Sequence, residues 1–284
     1  MKTLLAYVQL SRPLNGIIAF ISAGLGGVFA CSYVSESVRD VKLLYVSIAV
    51  LLLLSAGNAI NDYFDYEIDL INKPNRPLPS GRIPRKNALV FTAILIAIGI
   101  GLGGLINIYA VGIAILVSVL LVSYAIWLKQ TPLIGNLVVG SLTGITFISG
   151  GVAVETVHGT VVPAVFAFLF TTAREIVKDI EDIEGDQKQN IRTLAILNTR
   201  LAVIFSLSFM VAVIVFSPVP YIFGWYSWHY LVAIVGGVDL VLILLVIKLY
   251  NDASKPSCAF VQRCMKWDIF VGLFAIYIGM VFKI

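Results

Sequence analysis

Long uninterrupted runs of apolar residues constrain this chain more than any other feature of its sequence. Hydrophobic residues make up 59% of the 284 positions, and charged residues make up 13%, against roughly 25% in an ordinary soluble domain. A membrane-spanning helix requires about 20 predominantly apolar residues. Nine segments meet this requirement and predict an all-α membrane protein: 13–33, 41–61, 88–106, 109–127, 134–153, 160–177, 200–217, 229–248 and 267–283.

The basic residues are distributed unequally between the two ends of these predicted spans. If the N-terminus is cytoplasmic, 17 of the 20 lysines and arginines lie on the cytoplasmic side, and Arg39, Lys42 and Lys283 lie outside. Cytoplasmic loops of membrane proteins are enriched in lysine and arginine. The pattern therefore predicts a multi-pass cell-membrane protein with its N-terminus inside and its C-terminus outside. The net charge of +4 reflects this topology and does not indicate nucleic-acid binding.

An acidic motif directly follows the second predicted span, in the stretch NAINDYFDYEIDLINKPNRPLPSGRIPRK at 58–86. Asn61, Asp65 and Asp69 are spaced i, i+4 and i+8, so on a helix they line one face about 6 Å apart along the axis. Oxygen ligands at that spacing suit hard divalent cations such as Mg²⁺. Charged side chains at the mouth of a hydrophobic segment are costly and usually functional. Five cations follow in the adjoining loop: Lys73, Arg76, Arg82, Arg85 and Lys86.

A second acidic motif repeats the first at a constant offset of 117 residues. Its Lys178, Asp182 and Asp186 correspond to Asn61, Asp65 and Asp69, and its Asp179 corresponds to Asp62. Ten of the 16 carboxylates lie within 62–69 and 175–186, which we interpret as a two-part acidic site. The constant offset also predicts a pseudo-repeat in which the second span matches the sixth, with two parallel halves related by an axis along the membrane normal.

Two acidic helix ends beside many cations, opening onto an apolar interior, suit a substrate with a polyanionic head and a hydrocarbon tail. A prenyl diphosphate has this form. Carboxylates could bind Mg²⁺ ions that bridge to phosphate oxygens, while lysine and arginine bind the remaining oxygens. The tail would lie among the helices, where each buried methylene contributes about 0.8 kcal/mol.

Several motifs of this chain are similar to those of one known family. They are Ser11-Arg12-Pro13-Leu14-Asn15, the acidic stretch 61–69, Asn75-Arg76-Pro77-Leu78-Pro79-Ser80-Gly81, Ser123-Tyr124 before Leu128-Lys129, the acidic stretch 179–186, and Asn190-Ile191-Arg192-Thr193-Leu194-Ala195. On these residues the chain resembles the UbiA-type intramembrane prenyltransferases over its whole length.

The resemblance implies one domain over 1–284, with nine transmembrane helices around a central cavity that has a cytoplasmic cap. It implies two Mg²⁺ ions, a prenyl diphosphate donor and contact with membrane lipids. No obligate protein partner is evident from the sequence. The implied metal ligands are Asn61, Asp65, Asp69, Asp182 and Asp186. The implied catalytic residues are Asp62, Lys178 and Asp179. The implied substrate-binding residues are Arg12, Asn15, Lys73, Arg76, Tyr124, Lys129, Arg174, Lys178 and Arg192.

Arg174 bears on the identity of the acceptor. Relatives that prenylate aromatic rings tend to carry a tyrosine four residues before the second-motif lysine, and here that position is Arg174. An additional guanidinium fits a more anionic acceptor. The cluster at 172–186 resembles the archaeal members that transfer a geranylgeranyl group from geranylgeranyl diphosphate to the free hydroxyl of geranylgeranylglyceryl phosphate, which forms the second ether bond of archaeal membrane lipids.

Three other functions compete with this interpretation. An aromatic-acceptor prenyltransferase of quinone biosynthesis would use the same acidic motifs. A cation transporter would explain intramembrane carboxylates and parallel repeats, but a transport site should lie near the membrane midplane, whereas these acids cluster at one face. A non-catalytic lipid-binding scaffold is disfavoured because the metal-ligand positions are intact. For an alcohol acceptor, the proton could pass to a carboxylate such as Asp62 or to the departing diphosphate.

Overall fold

The computed structural model of the protein describes residues 2–34, 41–188 and 192–282, without the side chains of Lys2, Tyr33, Val34 and Lys188. Of the residues named above, Arg39, Asn190, Ile191 and Lys283 lie outside these ranges. The α-helices are α1 Lys2–Ser11, α2 Pro13–Val34, α3 Val41–Phe64, α4 Tyr66–Asn72, α5 Arg85–Gly104, α6 Ile108–Ile126, α7 Ile134–Ala153, α8 Val161–Glu181, α9 Ile183–Lys188, α10 Leu194–Leu197, α11 Thr199–Phe216, α12 Val219–Ile222, α13 Trp228–Ala233, α14 Leu240–Asn251 and α15 Lys255–Val281.

Within the described ranges, nine helical stretches are long and apolar enough to cross a membrane. The prediction of an all-α membrane protein with nine spans is therefore confirmed for this part of the chain. One span joins α13 to α14 through a π-helical segment, Ile234–Asp239. The largest boundary difference concerns the last span, since α15 begins at Lys255 whereas the apolar run predicted a start at 267. Hydropathy detects only the most apolar part of a helix, and α15 continues beyond it through charged residues.

The described residues fall into two compact units. The first unit comprises 2–31, 41–128 and 145–160. In it α3 packs against α5 and α6, and α1 and α4 also contact α3. One apolar cluster joins α1, α3, α5 and the loop after α4, and its buried members are Ala6, Leu10, Ala59, Leu78, Ile83 and Ala88. This cluster fixes the loop against the end of α3 that carries the first acidic motif.

The second unit comprises 32–34, 129–144, 161–188 and 192–282. Its central helix is α8, which contacts α10, α11 and α15. Gly140 and Gly144 of α7 allow close approach to α8, because a Cβ on Gly140 would lie 2.8 Å from the carbonyl oxygen of Phe168 and one on Gly144 would lie 2.8 Å from that of Ala164. The GxxxG spacing in this apolar helix is thus a packing motif.

The single domain over 1–284, the central cavity with its cytoplasmic cap, the membrane orientation and the pseudo-repeat stay predictions. The structure does show a local match between the two acidic motifs, since in each a long helix ends one residue before a turn residue and a short helix follows.

Candidate active site

Each acidic motif begins at the end of a long helix and is interrupted once. In the first motif α3 ends at Phe64, Asp65 is a turn residue and α4 begins at Tyr66. The second motif has the same three features 117 residues later: α8 ends at Glu181, Asp182 is the turn residue and α9 begins at Ile183. The two motifs therefore share a backbone design as well as a sequence pattern. The interruption itself was not predicted, since the sequence pattern fits a continuous helix.

Backbone hydrogen bonds preserve the helical spacing through each interruption. The amide of Asp65 donates to the carbonyl of Asn61 at 2.9 Å, and the amide of Asp69 donates to that of Asp65 at 2.8 Å. In the second motif the amide of Asp182 donates to the carbonyl of Lys178 at 3.0 Å, and the amide of Asp186 donates to that of Asp182 at 2.9 Å. The predicted i, i+4 spacing is therefore confirmed within each motif.

Two arginines hold the buried Asp62 in the first unit. Its Oδ1 accepts from Nη2 of Arg12 at 2.6 Å and from Nη1 of Arg76 at 3.1 Å. The same Nη1 of Arg76 contacts Oδ2 of Asp69 at 2.6 Å. Both carboxylate side chains are 4% exposed and Arg76 is 26% exposed. Removing such carboxylates from water is costly without charged partners, and here each has at least one guanidinium partner.

The loop after α4 fixes the position of the Arg76 side chain beside the acids of the first motif. Leu78 and Ile83 are 1% exposed and anchor the loop in the apolar cluster. The amide of Ile83 donates to the carbonyl of Pro77 at 3.2 Å, and that of Ser80 donates to the carbonyl of Arg76 at 3.0 Å. Gly81 has a φ of +71°, a left-handed conformation that glycine adopts without strain. The Pro-Leu-Pro-Ser-Gly sequence therefore makes a fixed turn that presents the Arg76 side chain to the acids.

Arg12 lies between α1 and α2 in a left-handed conformation, with φ of +51°. Such a backbone is uncommon for a residue other than glycine and marks a position held by its surroundings. Nearby, the side-chain amide of Asn58 donates to the carbonyl of Ser11 at 3.0 Å. The junction of α1 and α2 is thus attached to α3 through the Ser11 carbonyl and through the Arg12 side chain, whose guanidinium contacts Asp62.

In the second unit Asp179 has a neutral partner. Asn136, in the first turn of α7, donates from Nδ2 to Oδ2 of Asp179 at 2.8 Å. Asn136 is buried, with 7% of its surface exposed. Glu175 and Asp186 also act electrostatically on Asp179, as does Lys178.

Glu175 connects the two basic residues of the second motif. It accepts from Nη1 of Arg174 at 3.0 Å and from Nζ of Lys178 at 3.3 Å. Nη2 of Arg174 lies 3.4 Å from Oε1 of Gln262 on α15. The Arg174 side chain is 22% exposed, and its Nε is buried with no hydrogen-bond partner in the described part of the chain. Glu175 and Gln262 therefore orient the Arg174 guanidinium, while its Nε–H donor remains unused.

The start of α15 is fixed by a carboxylate outside the membrane-spanning segments. Asp252 accepts hydrogen bonds from the hydroxyl groups of Ser257 and Ser254, and from the amide of Ser254 at 2.9 Å. Because these donors favour the ionised form, they lower the pKa of Asp252 to about 2. The adjacent Lys255 forms an ion pair with Glu184 of α9 at 3.2 Å. These contacts fix the helix that carries Gln262.

The donor set of each motif fits a hard cation. In the first unit Oδ1 of Asn61 is buried without a hydrogen-bond partner among the described residues, one helical turn from Asp65. In the second unit Asp182 is exposed, Asp186 is half-buried, and Oε2 of the neighbouring Glu181 is buried and equally unpartnered. Amide and carboxylate oxygens are the ligands that Mg²⁺ uses. Nowhere in the described ranges do three or more His, Cys, Asp or Glu side chains form a group suited to a metal ion.

The other predicted substrate-binding residues differ in exposure. Tyr124 is half-buried near the end of α6, and Lys129 is half-buried in a short 3₁₀ turn. Asn15, Lys73 and Arg192 are exposed. Their substrate-binding roles stay predictions, as does the metal role of Asp69, whose Oδ2 contacts Arg76.

Sequence reasoning missed Asn136, Glu175 and Gln262 as members of the site. Asn136 and Asp179 are 43 positions apart, and Arg174 and Gln262 are 88 apart. No local pattern signals such contacts. The available signal for Asn136 was its polar side chain in the first turn of an otherwise apolar helix. Glu175 lay within the second acidic stretch but had no assigned role.

Comparison with known proteins identifies the relatives of this chain. The model of the UbiA prenyltransferase family matches residues 17–270. A protein named digeranylgeranylglyceryl phosphate synthase from Methanosphaera stadtmanae is 36% identical over 274 residues, which cover 96% of this chain and 98% of the relative. A protein of the same name from Thermococcus gammatolerans is 39% identical over 276 residues, with coverage of 96% and 98%.

Solved structures show the same fold. One described in a study of digeranylgeranylglyceryl phosphate synthase in membranes superposes with a TM-score of 0.87 at 36% identity, and covers 99% of both chains. A UbiA homologue from Archaeoglobus fulgidus bound to GPP and Mg²⁺ superposes with a TM-score of 0.68 at 14% identity, over 96% of this chain and 99% of that one. Because the second structure is only 14% identical, its similarity to this chain concerns the fold alone.

A double-mutant cycle tests the buried ion pair between Asp69 and Arg76. We expect Asp69→Ala and Arg76→Ala each to destabilise the protein, with a coupling of about 1–2 kcal/mol because the pair is largely shielded from water. The free energy of unfolding would be measured in mixed micelles without magnesium. The exposed pair Glu67–Arg85, at 3.7 Å, is the matched control, with an expected coupling below about 0.5 kcal/mol. Equal coupling in the two pairs would contradict this account.

Proposed function

Because the chain belongs to the UbiA prenyltransferase family, we propose that it transfers a geranylgeranyl group from geranylgeranyl diphosphate to the free hydroxyl of geranylgeranylglyceryl phosphate, forming the second ether bond of archaeal membrane lipids. The family match confirms the resemblance inferred from the sequence motifs. The observation that carries the specific proposal is the 36–39% identity, over almost the full length, to relatives named digeranylgeranylglyceryl phosphate synthase.

The donor's diphosphate is bound through the acidic motifs and their neighbouring cations. Asn61 and Asp65 in the first unit, and Asp182 and Asp186 in the second, would hold Mg²⁺, with one ion per motif. When bound, Mg²⁺ stabilises the negative charge that develops on the diphosphate leaving group. The proposal is supported by the unpartnered buried oxygen of Asn61, and by the hard oxygen donors that both motifs supply.

In the first unit, Arg12 and Arg76 both neutralise buried acids and bind phosphate oxygens. Arg12 and Arg76 compensate the charge of Asp62, and Arg76 also compensates that of Asp69. Because guanidinium groups have five donors, both arginines retain N–H groups for phosphate oxygens while they bind these acids. The aspartates therefore orient the arginines toward the diphosphate.

The acceptor's phosphate is assigned to Arg174. Its guanidinium is oriented by Glu175 and Gln262 and keeps an unused Nε donor. A planar fork of donors matches phosphate geometry better than the point charge of lysine does. An aromatic acceptor without a phosphate would not need this arrangement, so the local geometry favours the glyceryl phosphate over a quinone precursor.

The protein is a multi-pass membrane protein. We place its N-terminus and both acidic motifs on the cytoplasmic side of the cell membrane, because 17 of its 20 lysines and arginines then lie on that side. A cytoplasmic site gives access to soluble Mg²⁺ while the prenyl tails stay in the bilayer.

A product assay tests the proposed reaction. Purified protein with Mg²⁺, labelled geranylgeranyl diphosphate and geranylgeranylglyceryl phosphate should form the diether, detected by chromatography of the extracted lipids. Omitting the acceptor or adding a chelator should abolish the product. If the protein instead prenylates an aromatic acid or a quinone precursor and forms no diether, the acceptor assignment is wrong while the family assignment stands.

Substitutions in the two motifs test the metal roles. We expect Asp65→Ala and Asp182→Ala each to lower kcat by at least about 100-fold, since each removes an oxygen ligand from a site that stabilises the leaving group. Exposed acids of the same motifs provide matched controls: Glu67→Ala and Glu184→Ala should retain near-normal kcat. Melting temperatures in detergent would verify folding of all four variants. Near-normal turnover of Asp65→Ala and Asp182→Ala would refute the metal assignment.

Arg174→Lys tests the acceptor site. This change keeps the charge but removes the fork of donors, so we expect the KM for the glyceryl phosphate to rise about tenfold. The KM for geranylgeranyl diphosphate should change less than about threefold, because Arg174 is assigned to the acceptor's phosphate and not to the metal ligands that bind the donor. Arg263→Lys, an exposed position on α15, is the control and should change neither constant. If the KM values for donor and acceptor rise by the same factor, Arg174 does not determine the choice of acceptor.

A further inference from the structure

The two aspartates at equivalent positions of the motifs have different partners. Asp62 and Asp179 are 117 residues apart, and each lies three residues before the interruption of its helix. Two guanidinium groups contact Oδ1 of Asp62. Asp179 instead accepts one hydrogen bond from the neutral amide of Asn136. Among the ion pairs of the described residues, Asp62 takes part in two and Asp179 in none.

These partners determine which carboxylate oxygens an acceptor hydroxyl could approach. Two guanidinium groups occupy Oδ1 of Asp62, so a hydroxyl would have to displace an ion pair to reach that oxygen. An amide donor orients a carboxylate without adding positive charge. Of the charged groups acting on Asp179, Glu175 and Asp186 are negative, and Lys178 is already bound to Glu175. The carboxylate of Asp179 is therefore oriented by a neutral donor, and its oxygens make no ion pair among the described residues.

We propose that Asn136 is a positioning residue that orients Asp179 as the base for the acceptor hydroxyl, an inference that rests on the proposed function. The hydroxyl proton moves to a carboxylate oxygen of Asp179 as the hydroxyl oxygen bonds to C1 of the prenyl donor. The C1–O bond to the diphosphate breaks, and its electron pair leaves with the diphosphate. Asp179 then returns the proton to water. Asp62 instead orients the guanidinium groups of Arg12 and Arg76.

The buried position of Asn136 supports this role. The side chain lies in the first turn of α7 with 7% exposure, and its Nδ2 points to Oδ2 of Asp179. Four residues further on, α7 closely approaches α8 at Gly140. Close packing of the two helices fixes the distance between the amide and the carboxylate. A donor on a rigid helix restricts the base to one orientation, which a solvent donor would not do.

The test compares Asn136→Leu, which removes the donor at similar size, with Asn136→Gln, which keeps an amide. In Asn136→Leu we expect kcat for ether formation to fall about tenfold or more, as for a misplaced general base, with both KM values within about threefold of the unaltered protein. Asn136→Gln should recover part of the lost kcat. Binding of a non-reactive donor analogue, measured by calorimetry, should be unchanged in both variants.

Further variants separate positioning from a structural role. Asn107→Leu removes another asparagine that bonds across helices, from Nδ2 to the carbonyl of Val152 at 2.9 Å, and should lower the melting temperature but keep kcat. Asp179→Asn should lower kcat about 100-fold with donor binding retained. Asp62→Asn should weaken donor binding, since it releases two arginines.

The outcomes distinguish this inference from the proposed function. If the unaltered protein forms no diether, the proposed function fails. If it forms diether and Asn136→Leu keeps its kcat, or loses donor binding in proportion to kcat, the positioning role is refuted while the function stands. Failure of Asn136→Gln to recover any of the lost kcat would also count against the amide as the active group.

Discussion

The electrostatic cost of burying carboxylates at the ends of apolar helices governs this structure. Asp62 and Asp69 lie where the membrane-spanning part of α3 gives way to polar sequence, and both are almost completely removed from water. Unpaired carboxylates there would cost several kcal/mol each. Arg76 contacts both acids and Arg12 contacts one, so the loop after α4 and the junction before α2 are tied to α3 by charge. The ion pairs that stabilise the buried acids of the first motif therefore also fix the positions of Arg12 and Arg76.

The second motif meets the same constraint with different partners. Asp179 accepts a hydrogen bond from a neutral amide, Glu175 binds two cations, and Glu184 pairs with Lys255. Asp179 therefore carries no guanidinium group, and Arg174 keeps an unused Nε donor. The same backbone design thus carries different side-chain contacts in the two motifs. In the reaction we propose, the first motif orients arginines toward the diphosphate, and the second supplies the proton acceptor and an anion-binding guanidinium.

The sequence predicted the parts of this structure that follow from local patterns. Apolar runs identified nine spans because a helix must cross the bilayer with about 20 such residues, and i, i+4 spacing identified the acidic motifs. The helix interruptions at Asp65 and Asp182 could not be predicted, because the i, i+4 pattern of each motif fits a continuous helix. The backbone hydrogen bonds in fact keep that spacing through both turns. The contacts of Asn136 with Asp179 and of Gln262 with Arg174 could not be predicted from the sequence either, because they join residues far apart in the chain. Such pairings depend on how helices pack, which hydropathy does not encode.

The difference between the two motifs fits the chemical needs of an alcohol acceptor. An electron-rich aromatic ring can attack an allylic carbon through its π-electrons and lose its proton afterwards. A hydroxyl group is a weaker nucleophile, and its attack benefits from a base positioned before the bond forms. Asp179 is oriented in advance by Asn136 and carries no guanidinium partner, while Arg174 is oriented in advance by Glu175 and Gln262. Both features lie in the second unit, so in the proposed reaction the determinants of acceptor chemistry belong to that unit, whereas the arginines assigned to the diphosphate belong to the first.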